Sequence, residues 1–200
     1  MTEATKHDAA ALEEPTGRTG APVRVLVTVG TDHHQFDRLM TWIEAWIAAN
    51  PSAAQVTVQH GYSRLPRGAE GFSMCSPADL LALNQECDVV VTQGGPGGVM
   101  DSLDGGIRPI VVARLVALDE VVDDHQVSFA RHMSGVGLVT LASTAEELCA
   151  ELSAAVACPD SVRVVRDKSH VAAAVAQVGD LIEHLVAQKP RRPARRAAAR

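Results

Sequence analysis

Aromatic residues are scarce in this chain of 200 residues, with two Trp, one Tyr and three Phe. Against that scarcity the pair Trp42 and Trp46, four apart on one helical stripe, is either core filling or an anchor for a partner. No C-x-x-C spacing occurs among Cys75, Cys87, Cys149 and Cys158, which excludes a zinc or disulfide framework and predicts reduced, mostly buried thiols. No window approaches the roughly 18 consecutive apolar residues of a membrane helix, and the first residues lack the apolar segment of a secretory signal. These absences predict a soluble, cytoplasmic protein that reaches the inner face of a membrane only through a partner. No G-x-G-x-x-G follows the first apolar run, which argues against a dinucleotide-dependent oxidoreductase. No internal repeat is visible.

What is present divides the chain into three. Residues 1–21 are rich in Ala, Glu, Thr, Gly and Pro without an apolar period and read as a disordered lead. Residues 189–200 form a basic tail with six Lys or Arg and no acid, so the remainder is more acidic than the net charge of −6 conveys. An acidic body is a poor nucleic-acid surface, and no nucleic-acid partner is expected of it. The tail is a solvated end or a weak contact for anionic lipid, RNA or an acidic partner. Residues 22–188 are long enough for one well-buried domain.

Val23 to Val29 is a nearly continuous β-branched run, the pattern of a strand covered on both faces of a parallel sheet. Phe36, Leu39, Met40, Ile43 and Ile47 then recur at helical spacing until Asn50-Pro51. Further strands are predicted at Gln55 to His60, Phe72 to Met74, from Val89, at Pro109 to Ala113 and at Gly137 to Leu141. Helices are predicted at Pro77 to Asn84, after the glycine turn, at Asp123 to Ser134, at Ser143 to Val156 behind a Ser-Thr-x-Glu-Glu start, and at His170 to Gln188. This alternation predicts an α/β fold, a Rossmann-like parallel sheet flanked by helices, with ligands at the carboxyl ends of its strands.

The most informative segment is Val89 to Asp101, an apolar strand that runs through Thr92-Gln93-Gly94-Gly95-Pro96-Gly97-Gly98 into a helix. Glycines there let backbone N–H groups approach a phosphate, and the helix N-terminus adds about half a positive charge. Three more segments fall at strand or helix ends: Gly30-Thr31-Asp32-His33-His34, Gln59-His60-Gly61-Tyr62-Ser63 and Asp123-Asp124-His125-Gln126. Taken in order, V-T-V-G-T with F-D-R-L at 27–39, Q-H-G-Y-S at 59–63, T-Q-G-G-P-G-G-V-M-D at 92–101 and D-D-H-Q-V-S-F-A at 123–130 resemble glycosyltransferase family 28, the donor-binding C-terminal half of GT-B glycosyltransferases. The likeness covers about residues 23–145 and extends to stand-alone versions of that half, such as the soluble subunit of the dolichol-linked N-acetylglucosaminyltransferase and bacterial exopolysaccharide transferase subunits.

The resemblance implies a subunit that binds a UDP-sugar and transfers its hexosyl group, with inversion, to a lipid-linked or polysaccharide acceptor held by a membrane-anchored acceptor-binding subunit. It assigns Gly30, Thr31, Gly94, Gly95 and Gly97 to the donor diphosphate, Asp101 to the ribose, and Asp124, His125 and Gln126 to the donor sugar. Gly97 and Asp101, four apart, share a helical face, so the carboxylate reaches back toward the same ligand. Asp123 and Gln126, three apart, also fit an N-terminal capping box. The family often has His at Gln93, Ser at Gly98 and Glu at Asp101. It implies no metal and no other cofactor; the catalytic residue is not identified, with His33 and His34 either an exposed polar turn or weak candidates for a base. Two other readings stay open, a non-catalytic nucleotide-sugar-binding regulatory subunit and a UDP-sugar epimerase-like enzyme.

Overall fold

The computed structural model describes residues 21–165. The lead apart from Ala21, the helix expected over 170–188 and the basic tail lie outside the described residues. Six parallel strands form one sheet in the order β3-β2-β1-β4-β5-β6. In chain order the elements are β1 (Val23–Thr28), α1 (Asp37–Ala49), β2 (Ala54–Gln59), β3 (Glu70–Phe72), α2 (Pro77–Glu86), β4 (Val89–Gln93), α3 (Pro96–Asp104), β5 (Ile110–Val112), α4 (His125–Gly135), β6 (Thr140–Leu141) and α5 (Ala145–Ala157). The direction of strand addition reverses between β1 and β4, and the crevice above that reversal is where an open α/β sheet binds ligands.

The apolar runs are buried on both faces, as their lack of alternation predicts: Val25, Leu26 and Val27 of β1 and Val89, Val90 and Val91 of β4 are almost wholly excluded from water. Leu39, Met40, Ile43 and Trp46 of α1 and Leu148 and Leu152 of α5 belong to the larger core on one face. Val99 and Leu103 of α3 with Ala130 and Met133 of α4 build a smaller core on the other. Trp46 is buried, and its indole Nε1–H donates to Ser153 Oγ at 2.9 Å, so it fastens α1 to α5 instead of anchoring a partner. Trp42 is half-buried, with the Arg38 guanidinium 4.7 Å above its ring. Among the described residues no helix is long and apolar enough to cross a membrane.

Local chemistry sets the ends of the elements. Thr144 Oγ1 accepts from Glu147 N at 3.2 Å while the Glu147 carboxylate accepts from Ser143 N at 2.6 Å, so the Ser-Thr-x-Glu-Glu start of α5 works as a cap. The strand expected from Gly137 begins only at Thr140, because the preceding residues close α4. Gly137, at φ +75°, donates to Ser134 O and Leu138 donates to Met133 O, the two bonds of a Schellman end. The thiols are free, but only Cys87 is buried, which pushes its pKa up to about 12. Cys75, before α2, and Cys158, at the end of α5, are exposed, against the expectation of mostly buried cysteines.

Candidate donor site at the carboxyl edge of the sheet

The loop after β1 is held from β2. Gln59, itself buried, accepts through Oε1 from Val29 N at 3.2 Å and Gly30 N at 3.0 Å, and donates through Nε2 to Gly30 O at 3.0 Å and Ser73 O at 2.8 Å. Both polar groups of the Gly30 peptide unit are thus committed within the protein. Gly30 sits at φ +73°, a conformation that favours glycine, and a Cβ there would lie 2.1 Å from Gln93 Nε2, so a side chain at this position would push the Gln93 amide aside. Thr31, the next residue, is exposed and its N–H has no partner among the described residues.

After β4 the glycines divide the labour. A Cβ on Gly94 would meet Gln126 O at 2.9 Å, which draws the start of α4 against the turn. Gly95 caps α3, Pro96 occupies its first position without an N–H, and the N–H groups of Gly97 and Gly98 have no acceptor one turn back. A Cβ on Gly98 would meet Thr92 Oγ1 at 2.6 Å, in the place where Thr28 Oγ1 donates to Thr92 Oγ1 at 2.9 Å. Glycine rather than serine at this position follows from that contact. A Cβ on Gly97 would meet nothing within 4 Å among the described residues, so their packing does not require glycine there. One turn on, the half-buried Asp101 carboxylate has no partner among the described residues.

The D-D-H-Q segment lies beside this turn but does not form the expected capping box. Asp124, not Asp123, is the N-cap of α4 and makes no side-chain cap bond. Asp123 instead accepts at Oδ1 from His125 N at 3.0 Å and pairs with His125 Nδ1 at 2.7 Å, bonds that hold its carboxyl below the usual range. Gln126 Oε1 accepts from Arg114 N at 3.3 Å, which ties α4 to the end of β5. An Asx turn therefore replaces the reciprocal box, and Asp124 and His125 remain exposed at the rim.

Sequence reasoning missed the residue at the centre. Arg114 is fully buried and donates from Nε to Gln93 Oε1 at 2.6 Å, from Nη1 to His34 O at 2.7 Å and Glu120 O at 2.9 Å, and from Nη2 to Val29 O at 2.9 Å. It joins the ends of β1, β4 and β5 in one knot. Beside it the buried Glu120 carboxylate accepts from Arg38 Nε at 3.0 Å and Nη2 at 2.8 Å and from Leu115 N at 2.9 Å, fixing the loop that holds the 3-10 turn Val116–Leu118. The available signal was a lone cation within the apolar run Pro109 to Leu118.

His33 and His34 both come near Asp32, with one ligand atom from each of the three residues within 4.8 Å of the others. His34 is mostly buried and its Nδ1 lies 2.7 Å from Asp32 Oδ1, which also accepts from His34 N at 2.9 Å; His33 is exposed. Burial pushes the Asp32 carboxyl up, but the bonds from His34 and the charges of His34 and Arg114 outweigh it and hold the group below its ordinary range. An open cleft of about 800 Å³ beside this loop is lined by His33, His34, Arg38, Tyr62, Leu118 and Glu120 among others.

A comparison with curated proteins finds no significant match. Among solved structures, the glycotransferase of kitacinnamycin is similar at 22% identity over 78% of this chain and 40% of that one, with a TM-score of 0.53. The calicheamicin glycosyltransferase CalG4 matches at 16% identity over 89% and 45%, with a TM-score of 0.56. MurG of Acinetobacter baumannii matches at 15% identity over 72% and 44%, with a TM-score of 0.53. At these identities the likeness is one of fold, and this chain spans less than half the length of each. The family model of the glycosyltransferase family 28 C-terminal domain matches residues 24–184, most of the chain. The chain belongs to glycosyltransferase family 28, whose C-terminal domain it carries.

Proposed function

We propose that this chain is the nucleotide-sugar-binding catalytic subunit of a glycosyltransferase that moves a hexosyl group from a UDP-sugar to a lipid-linked or polysaccharide acceptor, as in exopolysaccharide synthesis. One observation carries the reading. In the crevice where strand addition reverses, the N–H groups of Gly97 and Gly98 and the carboxylate of Asp101 have no partner among the described residues, and none of those residues fills the space over Gly97. A diphosphate fits those N–H groups and the positive end of α3, and Asp101 then reaches the ribose hydroxyls. Thr31, Gly94 and Gly95 border the same anion, while Gly30 serves by lacking a side chain. Asp124, His125 and Gln126, drawn in by Gly94, meet the donor sugar.

In direct displacement an acceptor hydroxyl oxygen bonds to the anomeric carbon as that carbon's bond to the β-phosphate oxygen breaks, inverting the centre and releasing UDP. The charge that develops on the departing diphosphate is met by donors already in place, which is where such a site lowers the barrier. The hydroxyl proton needs a base; His33 and His34 are the candidates in this chain, and the contact of His34 Nδ1 with Asp32 Oδ1 supports His34.

In this reading the acceptor-binding half that the family resemblance implies is supplied by a membrane-associated subunit. Exposed Tyr62, Val116, Leu118 and Val122 on the carboxyl-edge loops support a docking face there. Radiolabelled UDP-sugar transfer to lipid-linked acceptors, assayed with and without a co-expressed membrane partner, tests the reading. Turnover by the pair is expected; nucleotide-sugar binding without turnover in any pairing would favour a regulatory subunit instead.

A further inference from the structure

The turn after β1 places a carboxylate and two imidazoles on three consecutive residues. Asp32, His33 and His34 each bring one ligand atom within 4.8 Å of the others. Asp32 Oδ1 lies 2.7 Å from His34 Nδ1 and 3.6 Å from His33 Nδ1. Ligands held about 2.0–2.2 Å from a tetrahedral zinc ion stand about 3.3 Å apart, so the two separations bracket the spacing that an ion between these groups would set. The His33 ring, exposed and 4.1 Å from that of His34, can close the remaining difference without moving packed atoms.

The backbone of the turn is fixed from elsewhere in the fold. Asp32 Oδ1 accepts from His34 N at 2.9 Å, and Arg114 Nη1 donates to His34 O at 2.7 Å, so the mostly buried His34 and the carboxylate are held in place before any ion arrives. The turn opens into the cleft of about 800 Å³. Among the described residues that line the cleft, the acids Asp37, Asp119 and Glu120 outnumber Arg38, and behind the turn Asp32 faces Arg114. That balance favours a cation. Imidazole nitrogens with a carboxylate oxygen suit zinc and the neighbouring divalent ions of the first transition row, and three protein ligands leave one coordination position open to the cleft. We infer that Asp32, His33 and His34 form a binding site for a divalent transition-metal ion of the zinc class at the mouth of the cleft. The family resemblance implies no metal for sugar transfer, so the ion is an addition to that reaction and not its cofactor. A neutral imidazole bound through Nδ1 carries its proton on Nε2 and has no lone pair left to accept another. An ion on His34 therefore blocks the base role considered for that residue, and zinc becomes an inhibitor of transfer. This consequence, unlike the site itself, rests on the proposed function.

The test uses the full, untagged chain with Cys75→Ser and Cys158→Ser as the parent, which removes the two exposed thiols. Calorimetric titration with Zn²⁺, visible absorption of the Co²⁺ form and thermal melting with and without metal are read together. The inference expects a single strong equivalent of either ion per chain, a raised melting temperature with Zn²⁺, and a Co²⁺ spectrum without thiolate bands. His33→Ala removes an exposed ring, so its metal-free melting should match the parent, whereas its Zn²⁺ affinity should fall at least about tenfold. Asp32→Asn should lose a similar factor, and His125→Ala, at the Asp123 pair, should lose none. No binding by the parent, or an affinity of either His33→Ala or Asp32→Asn within about twofold of it, would overturn the site. In the transfer assay, activity that persists at saturating Zn²⁺ would uphold the site and refute His34 as the base. Zn²⁺ binding as expected, with no transfer in any pairing, would leave the site standing and count against the proposed function.

Discussion

Gly97 and Gly98 are neighbours with opposite surroundings, and the difference separates function from packing. Because a Cβ at Gly97 meets nothing among the described residues, Gly97→Ala should leave stability unchanged or raise it by about 0.4–1 kcal/mol, since the unfolded chain loses freedom. The same methyl group enters the proposed diphosphate position, so UDP binding should be weakened in the variant. A melting curve with a parallel UDP titration checks both; unaltered affinity in Gly97→Ala would remove this glycine from the site. Gly98→Ser, by contrast, drives a Cβ to 2.6 Å from Thr92 Oγ1 and should destabilise the fold by about 1–3 kcal/mol in a denaturant midpoint. Asp101→Ala should cost about 1–3 kcal/mol of UDP-sugar binding with the midpoint unmoved, because the carboxylate has no partner among the described residues to lose.

The loop between β1 and α1 is set by ionisable contacts. Asp32 has its folded-state pKa lowered, so its bonds to His34 stabilise the fold above the ordinary carboxylate pKa and are lost as the pH falls through the lower, folded value. On acidification the melting temperature of wild type should therefore fall more steeply than that of Asp32→Asn; parallel acid limbs would show that the pair adds nothing. Most elements were legible from period and composition alone: the Val23 and Val89 runs, the Phe36 to Ile47 stripe and the Thr144 cap all lie where their patterns place them. The start of α4 was not. Two acids beside a His and a Gln fit either a capping box or an Asx turn, and the contact of Gln126 with Arg114 decides between them from twelve residues away. Gly137 likewise reads as the edge of a strand until its positive φ turns it into a helix end.

Across the whole molecule, strand order does what no single motif can. Placing β1 next to β4 brings Gly30 against Gln93, and placing β5 beyond β4 brings Arg114 beneath both. The glycine turn and Asp101 lie where the sequence reading places them, at a strand end and one turn into a helix, because such positions are set locally. Arg114, Glu120 and the clamp of Gln59 on Gly30 were not legible, since their partners lie up to 85 residues away and a buried polar side chain has no periodic signature. The six-stranded sheet thus brings loops that are remote in sequence together around the crevice proposed to hold the diphosphate. The central claim is that this crevice takes the diphosphate of a uridine nucleotide, and calorimetric titration of the purified chain with UDP, uridine and NAD tests it most directly. The account predicts that UDP binds much more tightly than either uridine or NAD; equal or absent binding of all three would contradict it.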